Sequence, residues 1–183
     1  MLKDKKRICV FCGSSLGNDK LIQKEVIKLA KIISENNLDL VYGGAKIGLM
    51  GLIAKEVQRH GGKVIGIIPK FLNKKEIINK NLTQLHLVDS MHERKQKMYD
   101  ISDFFVALPG GIGTLEELFE IITWKQLKLK KAPIGILNFS NYYEKIIEHI
   151  HLMKKNNFVD KNFIDEIIVS NSSKNLINQM IDK

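Results

Sequence analysis

The chain has 183 residues, 44% of them hydrophobic, and a formal net charge of +9 at pH 7. This length and apolar content predict one globular domain over residues 1–183, and the apolar runs are too short to span a bilayer. The lysines are scattered without aromatic interleaving, which indicates a solvated basic surface rather than a nucleic-acid interface. Residues 3–7 lead into a strand and not into a signal-peptide core, so we expect a cytoplasmic protein without a membrane partner.

The first predicted strand covers residues 7–12 and runs into the small residues Gly13 and Ser14. Small residues suit a loop at the carboxyl end of a strand, where parallel sheets bind ligands. Cys9 and Cys12 have C-x-x-C spacing, but strand residues three apart face opposite sides of a sheet. The chain has no second cysteine pair, and its histidines show no ligand spacing. We therefore predict two buried, reduced cysteines and no metal site.

An amphipathic helix follows over residues 19–36, with Asn18 or Asp19 as its cap. A short apolar strand at residues 38–42 then leads through the glycine-rich turn that begins with Gly43 and Gly44 into a helix at residues 48–60. Two interpretations of this turn stay open. The glycines can bring backbone amides against a ligand, or they can allow close packing of helix on sheet.

The next predicted strands are residues 63–68 and 85–88, separated by a solvated irregular segment. A helix at residues 91–101 begins with a capping box formed by Ser90 and Glu93. Arg94 lies on the same helix face as Met98 and Ile101, so we expect its stem to pack inward. From the residues alone, its head group belongs either to a surface salt bridge or to a functional site.

A buried strand at residues 104–108 precedes the most distinctive stretch of the chain, a glycine-rich turn into a helix. Glycines there let the backbone approach a ligand, and the dipole of the new helix favours an anion, which predicts a phosphate cradle formed by Gly110, Gly111, Ile112, Gly113 and Thr114. The spacing matches neither the P-loop nor the dinucleotide fingerprint. The alternative is a tight turn in which Thr114 and Glu117 form a purely structural capping box.

The helix after this turn is apolar on two sides. Helical projection places Leu115, Leu118, Phe119 and Ile122 in a core stripe, with Glu117 nearly opposite, close to Ile121 and Trp124. A second apolar side predicts a partner surface, most simply in a homodimer, with Glu117 near the interface. The alternative is a helix sandwiched inside one domain.

The rest of the chain continues the same alternation. We predict a strand at residues 133–137, a helix at 141–155, a strand at 167–169 and a short helix at 175–181. Strands alternating with helices throughout predict an α/β fold with a mostly parallel sheet and helices on both faces.

Two separated motifs carry a family resemblance. Pro109-Gly110-Gly111-x-Gly113-Thr114-x-x-Glu117, with Met91-His92-Glu93-Arg94-Lys95 upstream, resembles the LOG ("lonely guy") family of cytokinin-activating phosphoribohydrolases. The similarity extends from Cys9 to about Phe158. It implies a Rossmann-like dimer that hydrolyses the N-glycosidic bond of nucleoside 5′-monophosphates to free base and ribose 5-phosphate.

The resemblance also implies roles for individual residues. Arg94 and Glu117 are implied as catalytic, and Glu76, Lys95 and Thr123 as substrate contacts. The substrate is AMP or an isoprenylated AMP, and the reaction needs neither cofactor nor metal. We add the loop residues Gly13, Ser14, Gly43 and Gly44 as binding candidates, because they follow strand ends.

Two other functions remain open at this stage. Related Rossmann-like proteins carry a phosphorylated cofactor, such as a molybdenum-cofactor carrier, and glycine loops serve capture as well as turnover. Such capture does not need a pair like Arg94 and Glu117. Sequences of this type are also labelled lysine decarboxylases, a chemistry that needs pyridoxal phosphate on a lysine, and no motif singles out such a lysine.

Overall fold

The computed structural model describes residues 5–72, 78–160 and 164–183. The strands within them are β1 (Arg7–Phe11), β2 (Asp39–Tyr42), β3 (Val64–Pro69), β4 (Gln84–Val88), β5 (Phe104–Ala107), β6 (Ile134–Leu137) and β7 (Ile168–Ser170). The α-helices within them are α1 (Lys20–Glu35), α2 (Gly48–Arg59), α3 (Met91–Asp100), α4 (Ile112–Gln126), α5 (Glu144–Lys155) and α6 (Ser173–Ile181). Short 3-10 turns lie at Lys70–Leu72 and Phe139–Asn141.

In the described residues the strands form one seven-stranded sheet in the order β4-β3-β2-β1-β5-β6-β7. Every pair in it is parallel, including β1 with β2 and β1 with β5. The predicted α/β, Rossmann-like fold is therefore confirmed. The chain leaves β1 in one direction through β2 to β4 and returns to its other side with β5, which makes β1 and β5 the topological switch point.

The two faces of the sheet carry separate apolar cores. On one face, Val26 of α1 and Ile53 of α2 pack in the same cluster as Val10 of β1. On the other, Tyr99 of α3 and Leu118 of α4 pack in a second cluster. Helices thus cover both faces, as the alternation of elements predicts.

The two cysteines lie on opposite faces of β1. Cys9 belongs to the cluster under α3 and α4, and Cys12 to the cluster under α1 and α2. Both are free and buried, as predicted. Burial raises the pKa of both thiols, so they stay protonated.

The cap of α1 is Asp19, whose carboxylate accepts a hydrogen bond from Leu21 N at 2.7 Å. The predicted helix over residues 141–155 starts later than expected, at Glu144. Ser140 and Asn141 have φ angles of 55° and 56°, in the left-handed region that an α-helix excludes. In the described part of the chain, no helix is both long and apolar enough to cross a membrane.

Candidate active site

The loops after β1 and β5 meet at the carboxyl end of the sheet. Gly13 N donates a hydrogen bond to Pro109 O at 3.1 Å. A Cβ atom at Gly13 would lie 3.3 Å from Gly110 Cα, and one at Gly110 would lie 2.8 Å from Gly13 N. Glycine at both positions lets the loops touch at the switch point, where open parallel sheets bind ligands.

A cavity of about 480 Å³ opens beside this contact, and we call it the cleft. It collects side chains and backbone from several strand ends and from the first turns of α3 and α4. Of the residues that the sequence predicts for the site, those lining it are Gly13, Ser14, Gly43, Arg94, Gly111, Ile112, Gly113, Thr114 and Glu117.

Arg94 and Glu117 form a buried ion pair between α3 and α4 in the cleft. Arg94 Nη1 donates to Glu117 Oε1 at 2.8 Å, and Arg94 Nε donates to Ile67 O at 3.2 Å. The two residues are only 9% and 7% exposed. Arg94 is therefore a cleft residue with an inward stem and not half of a surface salt bridge.

The start of α3 holds Arg94 in this direction. Ser90 Oγ accepts from Glu93 N at 3.1 Å, as the predicted capping box requires. The Glu93 carboxylate accepts from Asp89 N at 2.7 Å, one residue before the cap. Glu93 therefore has the structural role that the sequence predicts, and the next residue, Arg94, is free to point inward.

The start of α4 differs from the alternative in which Thr114 caps the helix. The helix begins at Ile112, and its cap is Gly111, with no side-chain hydrogen bond. Thr114 lies inside the first turn, and the Glu117 carboxylate bonds to Arg94 rather than to a backbone amide at the helix start. The alternative of a structural capping box is therefore wrong, because the helix cap is Gly111, three residues before Thr114.

The predicted faces of α4 are also partly wrong. Leu118 and Ile122 are buried as expected, but Glu117 and Ile121 are buried as well, whereas Leu115 and Phe119 are half-buried. The core face is thus rotated towards Glu117, because Arg94 supplies the charge that lets a carboxylate enter it. Trp124 packs on Tyr99 of the same chain, with ring centroids 4.7 Å apart.

Burial also changes the acidity of the pair. It raises the pKa of the Glu117 carboxyl, and the Arg94 guanidinium opposes the rise through its charge and its hydrogen bond. The Glu116 carboxylate raises the same pKa, and Lys95 lowers it. A cleft carboxyl with a raised pKa and one cationic partner is typical of functional sites.

The glycine turn after β2 makes room for Arg94. A Cβ atom at Gly43 would overlap Arg94 Nη2 and would lie 3.0 Å from Met50 Sδ. Gly44 has a φ of 76°, and its Cβ would lie 3.1 Å from the Cβ of Ile68. Contacts inside the chain therefore account for glycine at both positions, which supports the packing interpretation of this turn.

Two residues implied by the resemblance, Lys95 and Thr123, are not among the described residues that line the cleft. Lys95 Nζ pairs with Glu116 and lies 3.1 Å from Glu120 Oε2, on the α4 side of the cleft wall. Thr123 is exposed, and its hydroxyl donates to Phe119 O at 2.8 Å. Glu76 lies outside the described residues.

Sequence reasoning missed the apolar wall of the cleft, whose members are Ala45, Ile47, Met50, Ile68, Leu72 and Met91. Periodicity assigns such residues to the core. One signal was available, since Ile47 and Ile112 are large apolar residues inside glycine-rich turns. They are 39% and 82% exposed. Within residues 5–72, 78–160 and 164–183, no group of three or more His, Cys, Asp or Glu side chains could hold a metal ion.

Comparison with known proteins identifies close relatives in sequence. A family model described as "Possible lysine decarboxylase" matches residues 50–180. A cytokinin riboside 5′-monophosphate phosphoribohydrolase of Arabidopsis thaliana, LOG1, is 44% identical over 97% of this chain and 83% of that protein. A probable enzyme of the same name from Oryza sativa subsp. japonica, LOGL2, is 42% identical over 96% of this chain and 72% of that protein.

Solved structures show the same fold at much lower identity. The molybdenum cofactor binding protein from Rippkaea orientalis superimposes with a TM-score of 0.74 and 18% identity, over 98% of each chain. At that identity the likeness establishes the fold and not the ligand.

Proposed function

The chain belongs to the LOG family of phosphoribohydrolases, and from that premise we propose that it hydrolyses the N-glycosidic bond of a purine nucleoside 5′-monophosphate. The products are the free base and ribose 5-phosphate. The observation that carries the proposal is the buried pair of Arg94 and Glu117, which lies one helical turn from the phosphate cradle at the start of α4.

The cradle supports a 5′-phosphate through the backbone of α4. The first amides of a helix have no acceptor inside it, and the helix dipole adds positive charge there. A Cβ atom at Gly111 or Gly113 would meet nothing within 4 Å, so the fold does not need glycine at either position. A ligand that approaches the backbone closely explains both, with Ile112 between them and the Thr114 hydroxyl in the same turn.

The chemistry at the anomeric carbon falls to Glu117. The bond from C1′ to the base nitrogen breaks, its electrons and a proton go to the base, and the oxygen of water joins C1′. An ionised Glu117 stabilises the positive charge that develops on the ribose, or takes the proton from the attacking water. Arg94 holds this carboxylate in place and offers further guanidinium donors to the sugar phosphate or the departing base.

The apolar wall of the cleft supports binding of the base. Ile47, Met50, Ile68, Leu72 and Met91 can contact a purine ring and also an apolar substituent on its amine. AMP and isopentenyl-AMP are therefore the two substrates we propose. Hydrolysis of this bond needs no cofactor or metal beyond the groups named.

A homodimer would account for Thr123 and Lys95, the two described residues that the resemblance implies as substrate contacts but that do not line the cleft. Thr123 is exposed on α4, and the half-buried Leu115 and Phe119 lie on the same helix. We infer that a second copy covers this face, brings Thr123 near a cleft, and leaves Lys95 to hold Glu116 at the cleft wall. Analytical ultracentrifugation tests this: a species of twice 20.9 kDa supports the dimer, and a monomer at all concentrations rejects it.

The other two functions fit the cleft less well. A carrier of a phosphorylated cofactor needs the cradle but not a carboxylate and a guanidinium beside it. A decarboxylase needs a lysine in the cleft to hold pyridoxal phosphate, and none of the described cleft residues is a lysine. The hydrolase is therefore the function that uses the buried pair.

The experiment compares AMP, isopentenyl-AMP and adenosine as substrates of the purified protein, with free base measured by chromatography. We expect base release from one or both nucleotides and none from adenosine, because adenosine lacks the phosphate that the cradle binds. Binding without cleavage of either nucleotide would reject the hydrolase in favour of a carrier.

A further inference from the structure

A second cavity of about 480 Å³ lies on the other side of the contact between Gly13 and Gly110. It shares Gly13, Ser14 and Gly111 with the cleft, so the two cavities flank the same loops. The proposed mononucleotide, with its base against the apolar wall and its phosphate at α4, occupies only the first. The switch-point crevice therefore has a second half that the proposed reaction does not use.

The lining of this second cavity is mostly apolar surface with neutral polar groups set in it. It includes the Ser15 and Ser140 hydroxyls, the Asn18 amide and the Tyr142 ring, with Ile22 and Leu49 as apolar surface. None of the described residues that line it is Lys, Arg or His, and its one carboxylate, Asp19, already caps α1. Such a lining suits a neutral group with hydroxyls and a flat apolar face rather than a phosphate.

One wall of the cavity, formed by Ser140 and Tyr142, is held in place by hydrogen bonds. Ser140 and Asn141 are both left-handed, with φ angles of 55° and 56°. A non-glycine residue in the left-handed region costs conformational free energy, so it keeps this conformation only where the surrounding structure holds it. Here Tyr142 Oη donates to Gly110 O at 2.6 Å, and Tyr143 Oη donates to Leu108 O at 2.5 Å. The wall is thus bonded to the loop between β5 and α4, which leads into the phosphate cradle.

We propose that the second cavity binds the second nucleoside of a dinucleotide, in which a pyrophosphate links two nucleosides through their 5′ oxygens. This inference rests on the proposed function, which places a 5′-phosphate at the shared loops. The pyrophosphate lies along the backbone of Gly13, Ser14 and Gly111, and the second sugar and base lie between the apolar surface and Tyr142.

The test measures dissociation constants by calorimetry in a Glu117→Gln background, which prevents turnover. The ligands are AMP, ADP and diadenosine pyrophosphate, because ADP has both phosphates but no second nucleoside. We expect the dinucleotide to bind at least about tenfold more tightly than ADP, as a second buried nucleoside adds more than 1.4 kcal/mol.

A cavity-filling variant tests whether the tighter binding of the dinucleotide depends on the second cavity. Asn18→Trp places an indole in the second cavity and should abolish the advantage of the dinucleotide over ADP without changing the affinity for AMP. Asn178→Trp is the matched control, an exposed asparagine on α6, and should change neither value. The proposal is overturned if the dinucleotide binds no more tightly than ADP, or if Asn18→Trp leaves its advantage intact.

These outcomes are separable from a failure of the proposed function. AMP that is bound and hydrolysed by the unmutated protein supports the phosphoribohydrolase whatever the dinucleotide does. If neither AMP nor isopentenyl-AMP is bound or hydrolysed, the proposed function fails. The effect of Asn18→Trp on dinucleotide affinity then still supports or overturns the second site.

Discussion

The Arg94 guanidinium donates to the Glu117 carboxylate and to the Ile67 carbonyl, and its Nη2 atom occupies the space next to Gly43 where a Cβ atom would lie. A guanidinium has rigid donor geometry, so fixing two of its nitrogens also fixes the direction of the third. The position of the arginine is therefore determined by residues of β3 and of the turn after β2, and not by α3 alone.

Gly43→Ala tests this arrangement. The added methyl group overlaps the far end of a flexible side chain, so we expect the protein to fold with Arg94 displaced from Glu117. A displacement near 1 Å lowers kcat by about a hundredfold with a smaller change in KM.

Arg94→Lys provides the control, because lysine lacks the Nη2 atom that the methyl group meets. In the Arg94→Lys background, Gly43→Ala should lower kcat much less than it does in the unmutated protein. An equal fold-loss in both backgrounds would show that Gly43 acts independently of Arg94.

The pH dependence of kcat reports the carboxyl of Glu117. Its pKa is raised by burial, and the reaction uses the ionised form, so activity falls as the pH drops through a pKa above the ordinary value of 4.5. Arg94 lowers this pKa. In Arg94→Met, the fall of the residual kcat on the acid side should therefore occur at higher pH than in the unmutated protein.

Glu116→Gln should shift the acid limb of kcat in the opposite direction. The Glu116 carboxylate raises the pKa of Glu117, so its removal should move the acid limb to lower pH. Steady-state rates across the acid range measure both shifts. Shifts in the same direction would contradict the assignment of the limb to Glu117.

At the residue scale, the sequence identifies residues that the structure places in the cleft, but it does not identify the residues that surround them. Arg94 and Glu117 stand in recognisable motifs, and the i, i+4 spacing from Arg94 to Met98 predicts the inward stem. The role of Gly43 was not predictable, because Gly43 and Arg94 are far apart in the chain and meet only once β2, β3 and α3 are in place. Lys95 shows the same limit, since its partners lie on α4.

The first turn of α4 is the element on which the site depends most. Its cap is a glycine without a side-chain hydrogen bond, and the residues of the turn line the cleft. A helix start with a serine or aspartate cap satisfies its own amides, whereas this one leaves them for a ligand.

Gly113→Ala separates folding from binding in this turn. Alanine is the better helix former and meets nothing within 4 Å, so the free energy of unfolding should rise by about 0.5–1 kcal/mol. The methyl group would stand in the cleft and keep the phosphate from the backbone. Loss of one charged hydrogen bond raises the dissociation constant for AMP at least about tenfold.

Gly51→Ala in the first turn of α2 is the matched control. Its Cβ would overlap the Lys46 carbonyl, so this variant should lose stability, and Gly51 does not line the cleft. Denaturant unfolding and calorimetry measure both quantities. Equal effects of the two variants on stability would contradict the distinction between an open and a packed glycine.

Apolar periodicity predicts the elements well and their faces less well. It finds α4 but places Glu117 opposite the core, because a projection counts only apolar residues and cannot know that Arg94 neutralises a buried carboxylate. It also begins α5 too early, because the left-handed pair at Ser140 and Asn141 has no clear sequence signal. Neither residue is glycine, and the tyrosines that follow them bond to Gly110 and Leu108, which are distant in the chain.

The whole molecule explains why distant motifs converge. Alternating strands and helices predict a parallel sheet, and a parallel sheet places every strand's carboxyl end at one edge. The observed strand order then sets β1 beside β5, so that the loop at Gly13 touches the loop at Gly110. The strand order itself was not predictable from periodicity, since it depends on which side of β1 the chain returns to.

The central claim is that this chain cleaves a nucleoside 5′-monophosphate with Glu117. The most direct measurement quantifies the free base and ribose 5-phosphate released from AMP and from isopentenyl-AMP by three proteins. These are the unmutated protein, Glu117→Gln and Glu35→Gln, the last of which changes a surface carboxylate on α1. We predict equimolar products from the unmutated protein and from Glu35→Gln, with Glu117→Gln at least about a hundredfold slower. Undiminished release by Glu117→Gln, or no release by the unmutated protein from either nucleotide, would contradict the account.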